Sequence, residues 1–164
     1  MRICVLSDTH IPIFAKQLSK NICDSLKSCD LILHAGDIVE LSFLEELERF
    51  APTKAVCGNM DSPELRGKLP ESLVIEAEGK MIGIVHGSGP TSRIVHAVGE
   101  IFDKKIDIVI FGHSHTPLNE NRGNVLFFNP GSATDKVFAP YRSYGIIEIS
   151  KHGEVKAEII KVED

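Results

Sequence analysis

The chain has 164 residues, 43% of them hydrophobic and 25% charged, the size and balance of one folded domain with a sizeable core. Its net charge of −5 argues against an extended nucleic-acid surface, which shows as a basic domain, but leaves small anionic ligands open. The sequence holds no run of about 18 apolar residues, so no membrane span is expected, and its start, MRICVLSDTH, leaves no room for a leader, so a cytoplasmic protein is expected.

Residues 2–6, RICVL, read as a buried strand that runs into the polar loop SDTHIPI. Phe14, Leu18, Ile22 and Leu26 recur every four residues and predict one helix face. DLILHAGD is a second buried strand, ending in Gly-Asp. In ELSFLEELERF, Ser42 and Glu45 make a capping-box pattern ahead of the helical face Leu44, Leu47 and Phe50. TKAVCGN is a third strand, followed by a proline turn, SPELRGKLP. Strand, helix, strand, helix, strand is the order of a parallel sheet. SLVIEAEGKMIGIVHG then holds two strands around the hairpin signal Glu78-Gly79. Ile94, Val95, Val98, Ile101 and Phe102 stand at helical spacing, and DIVIFGHSHTP is a strand ending in a histidine loop. NVLFF, SYGIIEIS and EVKAEIIKV follow as strands, with turns at Arg122-Gly123-Asn124 and Lys151-His152-Gly153. The fold class is therefore α/β: two packed mixed β-sheets with helices on their outer faces, in a single domain over 1–164. Of the four cysteines, Cys4 and Cys57 lie in apolar strands and read as buried free thiols.

Chemistry-bearing residues fall at one kind of place. Five apolar strands end in Asp8 and His10, in Asp37, in Asn59, in His86, and in His113 and His115. Ligands of open α/β sheets bind at the carboxyl ends of strands, so these seven side chains should converge. Two carboxylates, one amide oxygen and four imidazoles suit Mn²⁺, Fe, Co²⁺, Ni²⁺ or Zn²⁺, not Ca²⁺ or a closed structural zinc site. Seven ligands exceed one tetrahedral ion, and two ions sharing Asp37, with an oxygen for each, fit better. Such a pair, about 3.5–4 Å apart, clamps an in-line displacement at phosphorus.

The order Asp8-Thr9-His10, Gly36-Asp37, Gly58-Asn59-Met60-Asp61, His86 and Gly112-His113-Ser114-His115 resembles the calcineurin-like metallophosphoesterase family over roughly residues 1–135. The later NPGSATD looks like the segment that closes the site in its small bacterial and archaeal phosphodiesterase branch. The resemblance implies a four-layer α/β/β/α metallophosphoesterase fold. It implies one ion on Asp8, His10, Asp37 and His115, and a second on Asp37, Asn59, His86 and His113. It further implies hydrolysis of a small phosphodiester by a metal-bridging hydroxide, with Asp37, Asn59 and His86 central to catalysis. Mn²⁺ is the first expectation for the metal, and a homo-oligomer is left open. The alternatives are a phosphomonoesterase or nucleotide pyrophosphohydrolase with the same core, or a scaffold like the retromer subunit of this fold, which the intact ligand set argues against.

Many relatives carry His where Met60 stands, thought to protonate the leaving oxygen or steady the phosphate. Met60 can do neither and reads as a gap-filler, leaving Asp61 to fix the turn. His34 is either a partner of the ligands or a satisfied buried histidine. His96 reads as structural or half-exposed, His152 as solvated, and Asn129-Pro130-Gly131-Ser132 as a turn that could orient substrate or ligands. Arg66, Lys68 and Arg142 could touch a substrate, but isolated basic residues read first as surface charges.

Overall fold

Strands that are apolar on both faces need a covering layer on each side. In the computed structural model, which describes residues 1–102 and 105–163, ten strands form two five-stranded sheets. The first contains β1 (Arg2–Leu6), β2 (Leu31–His34), β3 (Thr53–Ala55), β9 (Ser143–Ile149) and β10 (Val155–Lys161) in the order β10-β9-β1-β2-β3. The second contains β4 (Ser72–Ala77), β5 (Lys80–Val85), β6 (Ile108–Ile110), β7 (Leu118–Arg122) and β8 (Val125–Asn129) in the order β4-β5-β6-β8-β7. β1, β2 and β3 run parallel, as do β5, β6 and β8, while β9, β10, β4 and β7 join antiparallel, so both sheets are mixed. The helices are α1 (Lys20–Lys27), α2 (Leu41–Glu48), α3 (Pro63–Lys68) and α4 (Thr91–Gly99).

The strand alternation sorts side chains into three apolar layers. Ile3, Val5, Leu31 and Leu33 of the first sheet meet Ile82, Ile84, Ile108, Ile110 and Phe128 of the second. Cys4, Leu6 and Ile32 point the other way, to Ile22 and Leu26 of α1 and Phe43 and Leu47 of α2. Val109, Phe111 and Phe127 turn outward onto Ile94, Val95 and Val98 of α4. Three interfaces make four layers, helix, sheet, sheet, helix, as expected. The β4–β5 hairpin turns through Glu78 and Gly79, both at positive φ (48° and 75°), the geometry of a two-residue hairpin loop.

Several local expectations need correction. α1 starts only at Lys20: Leu18 is buried ahead of it, and Phe14 packs at 4.6 Å against the His10 ring. The capping box fails, because α2 begins at Leu41 with Glu40 as its cap, and the Ser42 hydroxyl donates to the Glu40 carboxylate (3.3 Å) instead of capping an amide. The turn at SPELRGKLP is a short helix, α3, whose Ser62 hydroxyl accepts from Leu65 N–H and whose first residue is Pro63. LNENR, too polar to be read as a strand, pairs with β8 as an edge strand, β7. All four cysteines are free thiols, but Cys57 is only half-buried.

β1 is the middle strand of its sheet and is buried on both faces. Ile3→Ala should cost about 2–5 kcal/mol in urea unfolding, and deletion of residues 1–6 should abolish the cooperative transition. A truncated chain with native circular dichroism and an unchanged midpoint would contradict this placement.

Candidate metal centre

The seven predicted residues lie in loops that follow β1, β2, β3, β5 and β6 at their carboxyl ends, and the structure brings them together. Five of them, Asp8, His10, Asp37, His113 and His115, have positive φ, between 43° and 66°. A non-glycine residue there costs on the order of 1–2 kcal/mol, and such strain clusters at functional sites. Crossing bonds hold it: Asp8 N–H donates to Gly36 O and His10 N–H to Asp37 O, both at 3.0 Å. His113 N–H reaches the Asp8 carboxylate at 3.0 Å. Two glycines permit the close approach. A Cβ on Gly58 would stand 2.2 Å from Asp37 Oδ1, and one on Gly112 would stand 1.9 Å from Ser7 Oγ.

Outer hydrogen-bond partners fix the orientation of two rings. His86 Nδ1 lies 2.7 Å from Ala35 O, which can only accept, so Nδ1 carries a proton. When the ring is neutral, the lone pair of Nε2 aims at Asn59 Oδ1 (3.1 Å) and Asp37 Oδ2 (3.3 Å). His115 repeats the arrangement: Nδ1 donates to Asp135 Oδ2 at 2.5 Å, and Nε2 faces His10 Nε2 (3.3 Å) and Asp8 Oδ1 (3.4 Å). Acceptors crowd together at two points, and such crowding calls for a cation. Burial alone would disfavour a charged ring, yet the carboxylates outweigh it. Asp37 and Asp8 raise His86, and Asp8 and Asp135 raise His115 to about 9. Donor atoms of Asp8, His10 and His115 lie within 4.8 Å of one another, as do those of Asp8, Asp37 and His86, two clusters able to hold metal ions. Asn59 Oδ1 and His113 Nδ1, 3.0 Å apart, extend the second.

Asp37 Oδ1 accepts from Met60 N–H at 2.7 Å. Its Oδ2 lies 3.5 Å from His10 Nε2 and 3.3 Å from His86 Nε2, and Asp8 belongs to both donor clusters. Met60 therefore contributes through its backbone. Its side chain is 51% exposed and fills no gap. Asp61, read as fixing the turn, accepts from Gly58 N–H (2.6 Å) and Val39 N–H (2.7 Å), and so holds the loop that carries Asn59.

Burial lowers the His34 pKa to about 3. Gly36 N–H donates to its Nδ1 (3.2 Å), so its Nε2–H donates to Thr9 Oγ1 (3.0 Å), between Asp8 and His10. It is both a satisfied buried histidine and a support for the first loop. In the 129–132 turn, Asn129 Nδ2 donates to Gly112 O and Ser132 Oγ to Asp8 O, so this segment orients the ligand loops. Asp135 escaped the sequence reading, although it ends NPGSATD. Besides His115 it accepts from Val137, Phe138 and Ala139 N–H. Arg66 is no free surface charge: it donates to Asn59 O and Asp61 O. Lys68 pairs with Glu64 and His96 with Glu100 on the surface, and His152 is exposed.

Asp135→Asn should lower the His115 pKa in the metal-free protein, seen as an earlier imidazole titration by NMR. The sign follows from linkage: a raised histidine pKa gives stability that is full below about 6.5 and is lost as pH rises through about 9. The wild type's stability advantage over the variant in urea should therefore be larger at pH 6 than at pH 10. Equal differences at both pH values would contradict the pairing.

The model of the calcineurin-like phosphoesterase superfamily domain matches residues 1–152. A probable metallophosphoesterase of Methanocaldococcus jannaschii is 33% identical over 166 residues, covering 100% of this chain and 83% of that protein. One of Methanothermobacter thermautotrophicus is 36% identical over 138 residues, covering 82% and 78%. Among solved structures, a Thermotoga maritima protein determined by NMR superposes with a TM-score of 0.77 at 34% identity, over 98% of this chain and 99% of that one. Vps29 of Entamoeba histolytica in complex with zinc gives 0.75 at 25% identity, over 98% and 99%. An archaeal phosphodiesterase gives 0.72 at 25% identity, over 98% and 100%. With its donor clusters at the strand ends and this match across almost its whole length, the chain belongs to the calcineurin-like phosphoesterase superfamily.

Proposed function

We propose that this protein is a dinuclear metal-dependent phosphodiesterase acting on small phosphodiesters. The observation that carries the proposal is Asp37 Oδ2, one oxygen standing between two clusters of lone pairs. Asp8, His10, His115 and Asp37 would hold one divalent ion, and Asn59, His86, His113 and Asp37 the other. The donor chemistry fits: neutral imidazoles and carboxylates without a thiolate suit Mn²⁺ first, with Fe²⁺, Co²⁺, Ni²⁺ and Zn²⁺ as competitors. When bound, the two ions supply a water acidified to near neutrality and positive charge against the phosphate oxygens.

The chain's own residues do the rest. Met60 N–H fixes Asp37, and Asp61, accepting from Gly58 N–H, fixes with Arg66 the loop that carries Asn59. Ala35 O and Asp135 hold the His86 and His115 rings in the tautomer that turns Nε2 inward. A diester carries one negative charge and asks for less cationic help than a dianionic monoester. Arg66 is the basic side chain lining the cavity at the centre, and the likeness to an archaeal phosphodiesterase supports the same choice. A scaffold reading gains nothing from the centre, because convergent buried lone pairs serve a cation, not a protein surface.

Asp37→Asn should lower metal content at both sites and turnover on the order of 10³-fold. His86→Asn should weaken mainly one site and be partly rescued by excess Mn²⁺. Full metal content and normal rates in Asp37→Asn would sink the shared-oxygen assignment.

Leaving-group protonation gives a separate test. The Nδ1 protons of His86 and His115 are committed to Ala35 O and Asp135, and the side chain of Met60 has no proton to give. A positioned general acid is worth about 10²–10⁴ in rate. Rates with Mn²⁺ should therefore fall steeply as leaving-group pKa rises, and Met60→His should flatten the slope, helping alkyl leaving groups most. Identical slopes for the two proteins would show that Met60 costs nothing in proton transfer.

A further inference from the structure

A cavity of about 380 Å³ opens beside the Asn59–His86 end of the centre. Its size is that of a small-molecule pocket. One side is made by Gly58, Asn59, His86 and Gly87, so the cavity and the second donor cluster share two side chains. Apolar side chains also line the cavity, Val85 from the end of β5, Ala97 and Val98 from α4 and Ile101 just beyond it, together with Cys57, Glu71 and Ser88. Val98 is buried in the outer core, which makes this wall rigid. Ile101 is different: it is 44% exposed, a large apolar side chain left beside a polar centre. Arg66 also lines the cavity, with its guanidinium tied to Asn59 O and Asp61 O. Arg66 makes no ion pair with a carboxylate among the described residues, although the Glu71 carboxylate lines the same cavity and offsets part of its charge. Other cavities, along β9–β10 and beside Asp107, touch none of the seven donor residues.

We infer that this cavity is a subsite for one ester arm of the substrate, and that it selects an arm with an apolar ring face. The inference rests on the phosphoesterase reading. A phosphorus atom placed between the two donor clusters carries its substituents outward, and the Asn59–His86 side leads directly into the cavity. An arm lying there meets Ala97, Val98 and Ile101 along one face, while Arg66 stands beside the phosphate charge. A short alkyl arm leaves that wall wet. An aryl-sized arm removes apolar surface from water on both sides, and that burial favours binding. Ala97 and Ile101 are thus specificity-determining positions that touch no donor residue's function.

The probes are methylphosphonate and phenylphosphonate, which share the anionic head and differ only in the arm. Their binding to the Mn²⁺-reconstituted protein is measured by calorimetry, independently of turnover. The wild type should bind phenylphosphonate about tenfold more tightly, the scale expected when part of an aryl ring leaves water. Ala97→Trp, on an exposed position of α4, fills the cavity and should reduce that preference to about twofold or less, with the methylphosphonate Kd unchanged. Ile101→Ser removes part of the apolar wall without filling the space and should lower the preference in the same direction, which guards against a folding defect in the tryptophan variant. A preference unaltered in both variants, or absent in the wild type, would overturn the subsite. Failure of the wild type to bind either phosphonate would instead overturn the phosphoesterase reading beneath it.

Discussion

The structure turns on a crowding of lone pairs around Asp37 Oδ2. Ring nitrogens of His10 and His86 face this oxygen from two sides, with Asn59 Oδ1 and Asp8 Oδ1 close behind. Acceptors placed so close repel one another unless positive charge lies between them. In the metal-free protein, protons on His86 and His115 meet part of that demand, which is why both rings are more basic than burial alone would leave them. Each ring spends its Nδ1 proton on a fixed outer partner, and so the inner nitrogen is the one left open.

Much of the fold serves to impose that crowding. The donors come from loops of both sheets, and the inter-sheet layer of Ile3, Val5, Ile84, Ile110 and Phe128 sets how closely those loops approach. Five donor residues sit in the left-handed region, where each backbone alone would not stay. The hydrogen bonds between the first and second loops, together with Asp61 on the Val39 and Gly58 amides, hold them there. Val39 itself, β-branched and at φ 86°, shows how far the loop is bent to bring Asp37 into place.

The sequence disclosed the layers and the convergence of the seven side chains because both leave one-dimensional signals. Apolar runs of strand length stopped at Asp, Asn or His, and glycines stood next to them. What stayed hidden depends on three-dimensional company. Asp135 is one aspartate in a turn until its carboxylate is seen on the His115 ring. That the Met60 amide holds Asp37 Oδ1 is hidden too, because an amide is invisible in a residue name. The stretch Gly58-Asn59-Met60-Asp61 raised a question about the Met60 side chain, and the answer is that the position works through its backbone N–H. The α2 cap and the start of α1 were misread for an ordinary reason: helix ends follow local turn geometry more than apolar spacing.

Anomalous diffraction from a crystal equilibrated with Mn²⁺ tests the central claim most directly. The account predicts two manganese peaks about 3.5–4 Å apart, one among Asp8, His10 and His115 and the other among Asn59, His86 and His113, with Asp37 Oδ2 coordinated to both. A single peak, or two peaks that do not share that oxygen, would contradict it.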